Sequence, residues 1–264
     1  MQSKPDLTIS IIQTDIVWEN KSANLDRFDK YIYNINTTDL IVLPEMFTTG
    51  FSNRSSQLSE SMDGISVQWM CNKAKEKDAV ITGSLIIEEN GKYYNRMIWA
   101  YPYGDVQYYD KKHLFSYAKE NENYSSGNER KIIHVKEWNI SPMVCYDLRF
   151  PVWSRRSTTD YDYHLLVYIA SWPIARIQAW SALLKARAIE NMSYVIGVNR
   201  IGTDGNKIEY CGDSEILDPL GTSIKKCDSY KEAVFTIELQ KEDLIQTRQK
   251  LNFQNDADAF NFLN

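Results

Sequence analysis

The chain has no basic run longer than a pair such as Lys111-Lys112, and its formal net charge is −5. A nucleic-acid groove needs a clustered basic face, so this scatter of charge argues against one. No stretch approaches the roughly 18 apolar residues of a membrane span, and the N-terminal MQSKPDLTIS lacks the apolar run of a signal peptide. The four cysteines, Cys71, Cys145, Cys211 and Cys227, form no CxxC pair. That removes the usual footprint of a zinc site or a disulfide framework and leaves each thiol to be judged singly. No cluster of ligands calls for a metal or an organic cofactor, and none is expected. Repeats, low-complexity tracts and Pro/Gly-rich linkers are also missing. The expectation is one domain over residues 1–264, in a cytoplasmic globular protein whose 43% hydrophobic content can fill a large core.

What is present is an alternation of strands and helices. Leu7–Gln13 reads as a buried strand, and Asn20–Ile35 carries Leu25, Phe28, Tyr31, Ile32 and Ile35 at the spacing of one helical face. Asp39–Leu43 is a short apolar run halted by Pro44, and a second helix is expected over Ser66–Lys77. Ala79–Glu88 and Lys92–Tyr101 flank Asn90-Gly91, the dipeptide best suited to a two-residue hairpin turn. Val106–Tyr109, Ile140–Val144 and His164–Ala170 are further strands, and a long helix is predicted over Ala175–Met192. Tyr194–Asn199, Asp213–Leu217 and Ala233–Leu239 add strands, and Lys241–Lys250 a last helix. The pattern is layered α/β with a mixed sheet, since hairpins interrupt the parallel crossovers. Two mixed sheets covered by helices and one large sheet both fit this spacing.

Three of the apolar runs end on chemistry. Leu40–Leu43 leads into Pro44-Glu45-Met46-Phe47, Val106–Tyr109 into Asp110-Lys111-Lys112-His113, and Ile140–Val144 into Cys145-Tyr146-Asp147. Sites in α/β sheets form beyond the carboxyl ends of strands, so a carboxylate, an ammonium and a thiol at three such ends are candidates to converge. Spacing alone leaves that convergence open. The trio makes chemical sense for amide hydrolysis. A thiolate is the nucleophile, a carboxylate takes the thiol proton and returns it to the leaving amine, and an ammonium stabilises the oxyanion. A cysteine at a strand-to-turn corner also aims the Tyr146 backbone N–H at that oxyanion.

The stretches LIVLPEMF, YDKKHLF and MVCYDLRFP resemble, in order and separation, the three signature segments of the nitrilase superfamily. The resemblance runs from TISIIQTD to the final strand and helix. It implies a four-layer α-β-β-α sandwich with two mixed sheets, and protomers that pair as a homodimer. It also implies that Glu45 is the general base and acid, Lys111 the oxyanion stabiliser and Cys145 the nucleophile. Lys111 is preferred to Lys112 because the family places lysine two positions before His-Leu-Phe. In the loop FSYAKENENYSSGNER the family often sets a second glutamate beside the lysine, and the alignment favours Glu120 over Glu122.

CYDLRFPVW, ASWPIAR and LLKARAIENMSYVIGVNRIGTDG resemble the bacterial ω-amidase branch, with Val152 where many other branches have glutamate. The resemblance implies hydrolysis of the terminal amide of 2-oxoglutaramate or 2-oxosuccinamate to the 2-oxo acid and ammonia. A fixed substrate carboxylate wants an arginine fork. Arg176 is the first candidate and Arg149 the second, with Trp172 and Phe47 expected as pocket walls. Arg149 also fits a structural role, and His113 is assigned to support of the lysine loop. Cys71, Cys211 and Cys227 are read as core thiols, and Arg187, Glu190 and Asn191 as packing and capping groups of the long helix. Rival readings are a nitrilase or N-carbamoyl hydrolase, a Cys–His hydrolase using His113 or His134, and a non-catalytic scaffold on the same fold.

Overall fold

The computed structural model describes residues 6–258, 260 and 262, so the outermost parts of the expected 1–264 domain lie outside the described residues. In chain order the elements are β1 (Leu7–Gln13), α1 (Lys21–Tyr33), β2 (Leu40–Val42), the single turn α2 (Ser55–Leu58), α3 (Ile65–Lys77), β3 (Val80–Glu89), β4 (Lys92–Ala100) and β5 (Val106–Asp110). The turn α4 (Glu120–Asn123) precedes β6 (Ile133–Val135) and β7 (Trp138–Val144). The turn α5 (Pro151–Ser154) precedes β8 (Leu165–Ala170), α6 (Ile177–Asn191) and β9 (Tyr194–Asn199). Then come β10 (Ile201–Thr203), β11 (Glu209–Cys211), β12 (Glu215–Leu217), β13 (Ser223–Lys226), β14 (Ala233–Leu239) and α7 (Lys241–Leu251).

Two six-stranded mixed sheets result, ordered β14-β1-β2-β3-β4-β5 and β13-β12-β9-β8-β7-β6. This resolves the choice between one sheet and two. Each sheet has a parallel trio at its middle, β1-β2-β3 in one and β7-β8-β9 in the other, with one antiparallel strand on one side and two on the other. The Asn90-Gly91 turn joins β3 to β4, with φ of 53° and 74° at its two residues, as a two-residue hairpin requires.

Alternation along the strands makes the layers. Ile9, Ile11, Leu40 and Val42 of the first sheet meet Val144, Val167, Ile169 and Ile196 of the second in one core. Their neighbours Ile41, Leu43 and Ile81 turn the other way, beneath Phe28 and Ile32 of α1 and Met70 of α3. On the far side Met143, Leu166 and Tyr168 pack against Trp180 and Leu184 of α6. The central strands β1, β2, β8 and β9 bury both faces, which gives continuous apolar runs instead of half-polar alternation. Burial of each such side chain contributes roughly 1.5 to 3 kcal/mol. A Cβ at Gly197 of β9 would collide with Leu184, so the glycine sets how closely α6 lies on the sheet. The predicted Ala175–Met192 helix begins two residues late, after a 3-10 turn over Ile174–Arg176, and left-handed Met192 ends it. Among the described residues no helix is long and apolar enough to cross a membrane.

His164, just before β8, accepts a hydrogen bond at Nδ1 from the Asn139 backbone N–H at 2.9 Å, which requires that nitrogen unprotonated. Burial, with Lys241 and Arg248 nearby, depresses its pKa to about 4. The unfolded chain therefore binds a proton below about pH 6.5 that the fold refuses. The urea midpoint is expected to fall as pH drops from 6.5 towards 4, and His164→Gln to flatten that fall. An equally steep fall in the variant would remove His164 as its source.

Candidate active site

β7 delivers Cys145 to the inner face of the second sheet's carboxyl end, where the chain bends sharply. Cys145 has φ 46° and opens a 3-10 turn over Cys145–Arg149. A side-chain-bearing residue held in that region costs about 1 to 3 kcal/mol, which the surrounding structure must impose. As the second residue of the turn, Tyr146 has a backbone N–H with no partner inside it. Buried Asp147 fixes the corner. It accepts hydrogen bonds from Val144 N at 3.0 Å, Tyr109 Oη at 2.8 Å and His113 N at 2.9 Å, and its Oδ1 lies 2.8 Å from His113 Nδ1. His113 also stacks on Phe150, with ring centroids 3.8 Å apart. The thiol loop and the lysine loop are thus tied through one carboxylate. Arg187 supports the same turn by donating to Leu148 O at 2.6 Å.

Lys111 is placed by the β4–β5 pairing. Arg96 stands opposite Asp110 and grips it with two bonds of 2.6 and 2.9 Å, and Lys111 N donates to Asn95 O at 3.0 Å. Gly127 lies so close that a Cβ there would collide with the Asp110 carbonyl. The Lys111 ammonium is fully enclosed. It donates to Glu45 Oε1 at 3.0 Å and to both Glu120 oxygens at 2.9 Å. Glu45 follows β2 at a second bend, where Met46 has φ 44° and donates its N–H to Ser84 Oγ at 2.8 Å. Glu45 Oε1 also accepts from Asn95 Nδ2 at 2.8 Å, and Oε2 from Ser171 N at 2.7 Å. Glu120 Oε2 accepts from Phe115 N at 2.6 Å, and Asn95 Nδ2 reaches Glu120 Oε1 at 3.3 Å.

Burial alone would strip the charge from Lys111, but Glu120 and Glu45 beside it outweigh burial and hold the ammonium well above its ordinary range. Burial raises Glu120 despite the opposing pull of Lys111. Burial also pushes the Cys145 thiol up, and Glu45 adds to the rise while Lys111 and the Ser171 backbone work against it. The resting site therefore holds a protonated thiol beside a fixed carboxylate–ammonium–carboxylate array.

Cys145 and Lys111 line a cavity of about 50 Å³, space for a few water molecules, walled by Phe51, Phe115, Trp172 and Tyr210. Arg149 and Arg176 both reach it. Arg149 lies over the Trp172 ring at 5.0 Å and Arg176 over the Phe115 ring at 5.2 Å, and neither has a carboxylate partner among the described residues. Arg149 forms no ion pair among the described residues that would give it a purely structural role. Trp172 lines the cavity, but Phe47 does not. The left-handed turn at Met46 sends Phe47 to the opposite side of the sheet, where it packs on Phe28 and Trp69 while Phe51 takes the pocket position. Glu120 is buried on Lys111, whereas Glu122 is exposed. Neither His113 nor His134 lines the cavity, which leaves the Cys–His reading without its base. Asn95, Asp147 and Ser171 were not anticipated. The one signal for Asn95 was an amide within a strand of otherwise large side chains.

The family model for carbon-nitrogen hydrolases matches residues 8–249. The chain belongs to the carbon-nitrogen hydrolase family. This carbon-nitrogen hydrolase is 43% identical to the Omega-amidase YafV of Escherichia coli (strain K12) over 97% of its own length and 98% of that protein's. It is 32% identical to the 2-oxoglutaramate amidase of Bacillus subtilis (strain 168), over 92% of this chain and 95% of the other. Its structure matches XC1258 from Xanthomonas campestris, a CN-hydrolase superfamily protein with an arsenic adduct in the active site, at a TM-score of 0.95. The two are 40% identical, with 97% and 99% of the chains covered.

In this carbon-nitrogen hydrolase, Asp147→Asn keeps the shape of the clamp but turns one acceptor into a donor facing other donors. Urea unfolding is expected to show a loss of about 1 to 3 kcal/mol, together with a lower kcat. Unchanged stability would mean that the two loops are held by other contacts.

Proposed function

We propose that this hydrolase is an ω-amidase. It releases ammonia from the terminal amide of 2-oxo dicarboxylic acid monoamides, 2-oxoglutaramate and 2-oxosuccinamate, through a thioester on Cys145. The observation that carries the reading is the composition of one small cavity. It is lined by a thiol, an enclosed ammonium and two guanidiniums without carboxylate partners among the described residues, and the Glu45 carboxylate lies 3.0 Å behind the ammonium. Similarity to the ω-amidase and to the 2-oxoglutaramate amidase supports the substrate. The arsenic adduct in the Xanthomonas active site agrees with a thiol nucleophile, since arsenic favours sulfur.

In this scheme Glu45 takes the Cys145 proton as sulfur attacks the amide carbon. The oxyanion is received by the Tyr146 N–H and the Lys111 ammonium, which need no reorganisation because both are already fixed. Glu45 passes the proton to nitrogen, the C–N bond breaks, and ammonia leaves. Glu45 then deprotonates the water that cleaves the thioester, and Glu120 keeps Lys111 charged and aimed. Arg176 and Arg149 take the substrate carboxylate, for which a guanidinium offers paired donors. Trp172, Phe51 and Phe115 exclude water from the acyl-enzyme.

Arg176→Ala is expected to raise KM for 2-oxo dicarboxylate monoamides about tenfold or more, the cost of one charge-assisted hydrogen bond. Small neutral amides are expected to lose little. Equal loss on both substrate types would sink the assignment. Turnover by the wild type of a nitrile or an N-carbamoyl compound alone, with no ammonia from 2-oxoglutaramate, would favour the other branches.

A raised thiol pKa means that little thiolate preexists at neutral pH, so reactivity depends on Glu45 as base and climbs as pH rises. Iodoacetamide is expected to label Cys145 before Cys71, Cys211 and Cys227. Glu45→Gln should slow that labelling strongly at pH 7 and lose the chemical step, while folding stays near normal. Retention of most of the kcat by Glu45→Gln would remove it as the base.

The same reading has one cytoplasmic domain over residues 1–264 acting as a homodimer. Free thiols support the compartment. Exposed Val152 on α5, Ile189 on α6 and Leu220, beside the Gly221 that abuts Ile189, support the pairing surface. Ile189→Asp is expected to shift the mass seen by light scattering from dimer to monomer. A monomeric wild type would refute the pairing.

A further inference from the structure

Ser171 carries a hydroxyl that none of the described residues engages. The residue follows β8, and its backbone is pinned on both sides. Its own N–H donates to Glu45 Oε2 at 2.7 Å and bears on the Cys145 thiol. The next residue, Trp172, is gripped by Asn199, which accepts from Trp172 N at 2.8 Å and donates to Trp172 O at 3.0 Å. The side chain is therefore held in place, only 6% exposed, on the wall of the cavity that contains Cys145. Its Oγ is buried and has no hydrogen-bond partner among the described residues. A buried hydroxyl left unpaired lowers stability, so its presence beside two reacting groups points to a partner that arrives with the substrate.

The geometry names the atom it meets. Glu45 Oε1 is taken up by Lys111 and Asn95, the side that receives the carbonyl oxygen, whereas Oε2 faces Ser171. The amide nitrogen therefore lies on the Ser171 side. We propose that Ser171 Oγ accepts a hydrogen bond from an N–H of the substrate amide and turns the nitrogen lone pair towards Glu45. This deepens the amidase reading above and rests on it. During acylation the S–C bond forms and the C–N bond breaks. The thiol proton travels through Glu45 to nitrogen, and Ser171 keeps its own proton throughout. The contact needs an N–H, so it favours a primary amide over an ester of the same acid, whose leaving oxygen has none to offer.

The test compares kcat/KM, which reports acylation, for the ω-amide and the ω-methyl ester of one 2-oxo acid in wild type, Ser171→Ala and Ser171→Thr. Ser171→Ala is expected to lose about tenfold on the amide, the cost of one such hydrogen bond, and to stay within about threefold on the ester. Its Tm should not fall, because the hydroxyl removed has no hydrogen-bond partner among the described residues. Ser171→Thr, which keeps a hydroxyl, should restore the amide-to-ester ratio. Parallel losses on amide and ester, no loss on the amide, or a lowered Tm accompanying loss on both would overturn the proposal. Failure of the wild type on the 2-oxo amide overturns the substrate reading alone. The same comparison on its best amide and matching ester then decides the role of the hydroxyl.

Discussion

Everything in the site is arranged around one enclosed ammonium. Lys111 has no access to solvent, and neither do the two carboxylates that hold it. An isolated charge in such a place would cost far more than the fold could bear, and removing one partner of a buried set leaves the others uncompensated. The three groups are therefore obligatory companions. Asn95 bridges the two acidic side chains, donating to both. The array also sorts the two Glu45 oxygens, because Oε1 accepts from both Lys111 and Asn95 whereas Oε2 accepts from Ser171 N.

The local bends follow from that demand. Met46 and Cys145 adopt left-handed backbone next to the reacting groups, and Lys119 does so immediately before Glu120. Each bend departs from what its side chain prefers, and a polar contact stands beside each: Ser84 of β3 accepts from Met46 N, Asp147 accepts from Val144 N just before Cys145, and Glu120, just after Lys119, accepts from Phe115 N. Strain and rigidity are thus concentrated where the chemistry is, while the surrounding strands and helices follow ordinary patterning.

That contrast explains what was legible in the sequence. β1, β9 and β14 were read to the residue, and the four long helices to within a few positions, because apolar periodicity reports burial directly. β6, β10, β11 and β13 went unread. They are three or four residues long, and β13, Ser223–Lys226, is exposed throughout. Glu45, Lys111 and Cys145 were visible as polar residues at strand ends. Phe47 was misplaced and Phe51 overlooked because a reversal of φ at Met46 decides which side of the sheet the next side chain enters, and composition carries no mark of it. Asp147 clamps residues 34 and 38 positions away, and Asn95 reaches a carboxylate 50 positions away; such pairings exist only once the sheets have packed.

The two sheets share one order of pairings, and each contributes half of the polar residues gathered at the proposed site. Glu45 and Lys111 extend from the first sheet, Cys145 and Ser171 from the second. The sandwich interface is thus a working part of the enzyme as well as its filling. A slip of one sheet over the other by a fraction of an ångström would leave every strand intact, yet part the thiol from the carboxylate proposed as its base. Turnover is in that sense a strain gauge for the apolar layer between the sheets. Heat, pressure or a misfitting core side chain should silence the enzyme while its secondary structure still looks whole.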